Sequence, residues 1–221
     1  MKNKIPTLIT LVIIYFLLKN YIPYGNYIVY PINILVTFLH EFGHSFFALI
    51  TGGSVKGVEI NADGSGFAIT AGGIRDLVLA GGYIGSAIFG NILIYIGFKK
   101  TTPNPSLKRK GDNTSQNIIY FLSGLMVFVA IFWFNSIFSS LILFALAGTL
   151  FSLAKYTKYD SLILQFLGIS SIIYIIEDFS VGPSSDLSKF SEILPSSVWM
   201  IIWLIIVIAI TGYNLRLILK K

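Results

Sequence analysis

The sequence contains two histidines, and they stand four residues apart with a glutamate directly after the first: His40-Glu41-Phe42-Gly43-His44. Residues four apart on a helix share one face, so both imidazoles can reach a single ion. The H-E-x-x-H pattern is that of zinc sites in which the glutamate takes a proton from a water beside the metal. Zinc supplies the other half of the chemistry, bringing the pKa of that water to about 7. Two histidines scattered at random in a chain of this length would fall four apart about 1% of the time, before the glutamate is required.

A catalytic zinc site needs three protein ligands and an open position. The sequence has no cysteine and no third histidine, so disulfides and thiolate sites are excluded and the third ligand has to be a carboxylate. Asp112 and Asp160 fall in loops on the far side from the end of the motif helix, and Glu59 and Asp63 fall in or near a turn. Asp76 follows Arg75 at a helix start, which suits capping. There remain Glu177, Asp178 and Asp186, with Glu192 further along.

The elements that must position these residues are apolar. Of the 221 residues 55% are hydrophobic and 12% charged, and the mean hydropathy is +0.79. Such a chain cannot furnish the charged surface of a soluble domain. The apolar residues fall into seven runs long enough to cross about 30 Å of hydrocarbon as helices: Ile5–Tyr21, Pro31–Ile50, Ile74–Phe98, Gln116–Phe134, Ser136–Ala154, Ser161–Phe179 and Val198–Leu219. The expected fold is an all-α polytopic membrane protein of about seven transmembrane helices, one domain over residues 1–221. The first run lacks a cleavage signal and reads as a retained helix. The net charge of +6 resides in short loops, as the positive-inside tendency requires, and does not point to nucleic acid.

The plainer alternative for the motif is a hydrogen-bonded histidine pair between helices. Counted from Pro31 at about 1.5 Å per residue, however, His40 lies near mid-membrane, where three ionisable groups are costly unless they act. Pro31 suits the first turn of its span, and Gly52-Gly53 suits the span's left-handed end. After it, Val55–Ile60 and Phe67–Thr70 are β-prone pieces around a Gly-rich turn, a small hairpin that reads most simply as extramembrane. Lys99–Ser115 reads as a solvated connection.

At these residues the chain resembles the site-2 protease family of intramembrane zinc metalloproteases, and most closely its compact B-like branch. Three blocks carry the resemblance: His40–His44 with the hairpin after it, Ala80-Gly81-Gly82-Tyr83-Ile84-Gly85-Ser86, and Asp178 to Asp186. In the third block the family has Asn, then prolines, then a ligand Asp eight positions after the Asn, followed by Gly. Here Asp178 stands at the Asn position, Pro183 at a proline position, Asp186 at the ligand position and Leu187 at that of the Gly. In the second block Gly82 stands where many relatives have proline, and Gly85 where they have Asn.

The resemblance implies His40, His44 and Asp186 as ligands of one zinc ion, in preference to Asp178, and Glu41 as general base. It implies cleavage of membrane protein or peptide substrates in the lipid bilayer, by a multi-pass protein of the cell membrane. The hairpin's edge could then receive an unwound substrate as an added strand. The Gly81–Gly90 stretch reads as a close helix-packing face. A catalytically silent scaffold of the same fold would have no need of Glu41. An ion-coupled transporter would line several spans with polar residues, whereas the fourth and fifth are almost purely apolar.

Overall fold

The computed structural model describes residues 4–99, 114–179, 186–189 and 195–220. Within them run the helices α1 (Lys4–Asn20) and α2 (Gly25–Ile50), the strands β1 (Ser54–Ile60) and β2 (Gly66–Ala71), and then α3 (Arg75–Phe98) and α4 (Thr114–Phe132). The helices α5 (Ile137–Tyr156), α6 (Asp160–Asp178), the single turn α7 (Asp186–Lys189) and α8 (Ser196–Lys220) complete the order. Among the described residues six helices are long and apolar enough to cross a membrane, and the protein is an integral multi-pass membrane protein. The expected first span is α1, whose 17 residues cover about 25 Å, the shortest of the long helices. Most of the Lys99–Ser115 connection, and both Pro183 and Glu192, lie outside the described residues.

The second span starts earlier than its sequence suggests. α2 begins at Gly25, so Pro31 lies inside the helix and cannot make the bond to the Tyr27 carbonyl. At its other end Gly52 has φ +86°, the left-handed stop expected of the Gly52-Gly53 pair.

α2 and α3 are the most enclosed spans, and α8 is the one most open to lipid. Small residues let the central helices touch. A Cβ added at Gly43 of α2 would stand 2.4 Å from the Gly81 carbonyl oxygen of α3, and one at Gly168 of α6 would stand 2.4 Å from the Gly90 oxygen. The Gly81–Gly90 stretch is therefore a packing face, on α2 at one end and α6 at the other. Buried polar groups add fixed points. Ser171 Oγ donates to the Ser86 carbonyl (3.1 Å) and Gln165 Nε2 to that of Gly97 (2.7 Å). Asn214 Nδ2 of α8 donates to the Asn91 carbonyl of α3 (2.8 Å). In hydrocarbon such bonds average about 0.6 kcal/mol, so they mainly fix which faces meet.

The hairpin is not an extramembrane appendage. It folds back along α2, with Gly73 against Ala48 and Thr51 at its base and Gly64 accepting a 2.7 Å bond from Thr37 Oγ1 near its tip. Thr37 and Thr51 are about 21 Å apart along a helix axis, so the strands lie at the depth of the helices. Backbone at that depth must have its polar groups met by protein or open to a wet cavity. β1 meets this on the α4–α5 side, where Val58 N–H donates to the Trp133 carbonyl (2.9 Å) and Ile60 N–H to Ser139 Oγ (3.0 Å). Val58 and Ile60 side chains are buried in the main core with Phe38 and Met126.

Those two bonds also fix the other edge. If Val58 and Ile60 point their N–H groups away from β2, their register partners Ala68 and Gly66 must point theirs away from β1. Among the described residues the sheet has two strands, so the backbone of Gly66 and Ala68 faces an edge with no strand partner there.

Candidate metal centre

α2 places His40, Glu41 and His44 in the interior, where all three are buried. Glu41 follows His40 by one position and so turns toward β2. A Cβ at Gly66 would be only 3.0 Å from Glu41 Cγ, and the strand can approach this closely because Gly66 lacks one. α3 approaches from another side. A Cβ at Gly82 would stand 2.4 Å from Nε2 of both His40 and His44. The glycine found where many relatives have proline accompanies this close approach.

The third component comes from far along the chain. Asp186, the first residue of α7, directs Oδ2 at His44 Nε2 (2.8 Å) and His40 Nε2 (3.4 Å). Its other oxygen, Oδ1, accepts from Lys189 Nζ at 3.0 Å.

Donor chemistry and spacing both suit a zinc ion. One ligand atom from each of His40, His44 and Asp186 lies within 4.8 Å of the others. Four ligands at about 2.0–2.1 Å in a tetrahedron stand about 3.3 Å apart, close to the His40–Asp186 separation. The far side of each imidazole is already engaged. His44 Nδ1 is 2.7 Å from the Val78 carbonyl, which only accepts, so this nitrogen carries the proton and Nε2 is left for a metal. His40 Nδ1 lies 3.4 Å from Ser86 Oγ.

Other acids among the described residues are engaged elsewhere. Asn135 donates to Glu59, and Ser65 donates to Asp63 through its N–H (2.9 Å) and Oγ (2.7 Å), closing the hairpin turn. Asp76 sits in the exposed first turn of α3 beside Arg75 (3.9 Å), while the N-cap residue Ile74 offers no side-chain cap. Glu177 pairs with Lys19 at 2.5 Å. Asp178, the rival at the third-ligand position, ends α6 and does not join the group that His40 and His44 form with Asp186.

A cavity of about 550 Å³ opens onto the group. His40, Glu41, His44 and Asp186 line one side, and Gly66, Phe67, Ala68 and Thr70 of β2 another. Lys19 and Tyr174 also reach it, and no motif in the sequence pointed to either. Tyr174 stands with its ring centroid 5.6 Å from that of His40. Its only sequence signal was a polar-tipped aromatic within an apolar span.

A family model described as peptidase M50B-like matches residues 8–214. No curated protein and no solved structure matches the chain.

Proposed function

The chain belongs to the peptidase M50B-like family, and from that premise we propose that it is an intramembrane zinc metalloprotease, its whole length working as one domain on peptide bonds in or near transmembrane segments of membrane proteins. The observation that carries this reading is the meeting of Asp186 with the two motif histidines, 146 residues from His40, on the wall of a cavity that also holds Glu41. A silent scaffold has no use for a general base placed there.

In this reading His40 and His44 offer Nε2, and Asp186 offers Oδ2, to one zinc ion per chain. When bound, zinc lowers the pKa of a water and polarises the carbonyl to be attacked. Glu41 takes the proton of the attacking water as its oxygen bonds to the carbonyl carbon. As the C–N bond breaks, Glu41 returns that proton to the departing amine. Burial around the four residues limits free water to what the cavity admits.

A substrate helix has its carbonyls hydrogen-bonded internally and must unwind to be cut. The cavity-side edge of β2 supports a place for the unwound strand. Gly66 and Ala68 present backbone N–H and C=O groups there, beside Glu41, and an extended peptide can pair with them.

The reading is tested on purified protein in liposomes with a helical membrane substrate. Elemental analysis is expected to give one zinc per chain, with cleavage lost on chelation and restored by zinc. Cleavage that persists in zinc-free protein would refute it.

A further inference from the structure

Leu187 stands where the resembled family has glycine, and its backbone N–H donates to the Tyr83 hydroxyl at 3.2 Å. Tyr83 is fully buried on α3, its ring 5.4 Å from that of His40 and 5.2 Å from that of Phe179. Leu187 packs its own side chain into the same cluster, with Tyr83 and Trp203. The phenol thus holds the backbone beside the metal-site carboxylate, since the residue before Leu187 is Asp186.

A carboxylate delivered by a four-residue turn has little of its own to fix it. α7 is too short to be stable alone, since helix nucleation is unfavourable and one turn gains almost nothing back. Its place must come from tertiary contacts, and at the backbone next to Asp186 that contact is Tyr83. From this we infer that Tyr83 is a positioning residue for the third metal ligand, its phenol oxygen receiving the Leu187 N–H. The inference rests on the zinc-site reading.

Zinc affinity of the purified, metal-stripped protein, measured by competition with a chelating dye, tests this without any substrate. Tyr83→Phe removes the hydroxyl and keeps the ring, and is expected to weaken zinc binding about 10–100-fold, the usual effect of losing a group that orients a ligand. Thermal unfolding of the zinc-free proteins separates positioning from general damage. Wild-type affinity in folded Tyr83→Phe would overturn the inference. The His40→Ala/His44→Ala protein run alongside judges the site itself: unchanged zinc binding there would sink the zinc-site reading, whatever Tyr83 does.

Discussion

Replacing Gly43 with alanine should weaken the zinc site although the new methyl touches neither imidazole. Gly43 lies between the motif histidines on the face of α2 that meets α3. An added Cβ would stand 2.4 Å from the Gly81 carbonyl oxygen and 3.1 Å from its carbon. Both are backbone atoms of a helix and cannot rotate away. Restoring ordinary contact at about 3.4 Å requires the helices to part by about 1 Å. Helix propensity alone would favour the change by about 1 kcal/mol. Overpacking of this kind costs about 1–3 kcal/mol, so the net effect on stability is a loss of up to about 2 kcal/mol. The metal site suffers more specifically. His44 Nδ1 is 2.7 Å from Val78 on α3, and parting by 1 Å takes that contact to about 3.7 Å, beyond a hydrogen bond. Loss of such an orienting bond typically lowers metal affinity about 10–100-fold. Dye competition for zinc and thermal unfolding, run on the same preparations, measure both effects. Gly124→Ala is the control, because nothing lies within 4 Å of a Cβ there. A Gly43→Ala protein that is more stable than wild type and binds zinc equally well would refute the reasoning.

Two further substitutions separate ligation from substrate binding. Asp186→Ala should lower zinc occupancy more than Asp178→Ala, as measured by elemental analysis of purified protein, because only Asp186 reaches both histidines. Ala68→Pro removes a backbone N–H that points to the free edge of β2 while leaving the bonds to β1 intact. It should therefore raise KM for a helical substrate, or lower kcat/KM, with zinc content and melting temperature close to wild type.

The helices were legible because a bilayer leaves few choices: an apolar run of about 20 residues has to bury its backbone polar groups as a helix. Helix ends were less so. Pro31 reads as a start because proline suits a first turn, yet apolar and aromatic residues before it carry α2 back to Gly25. The motif was legible because its spacing is local to one helix. Asp186 could be singled out only through the family pattern, since residue spacing leaves Glu177 and Asp178 equally eligible. What sets them apart is tertiary: Lys19 engages Glu177, and it is Asp186 rather than Asp178 that lies against both histidines. The hairpin's β-prone sequence gave its existence but not its depth. That depth depends on Thr37 and Gly66 along one flank and on Trp133 and Ser139 along the other, contacts between residues as many as 79 positions apart.

Glu41→Gln is the most direct measurement of whether this site performs hydrolysis. Gln is nearly isosteric, and Glu41 is assigned no role in holding zinc, so metal content and unfolding temperature should match wild type. The amide cannot take a proton from water, and loss of a general base usually costs about 10²–10⁴ in rate. Cleavage of a helical substrate in liposomes, followed by gel electrophoresis with mass spectrometry of the fragments, is expected to fall to the edge of detection in the zinc-loaded variant. Cleavage by zinc-loaded Glu41→Gln at the wild-type rate would contradict the assignment of this site as a metalloprotease centre.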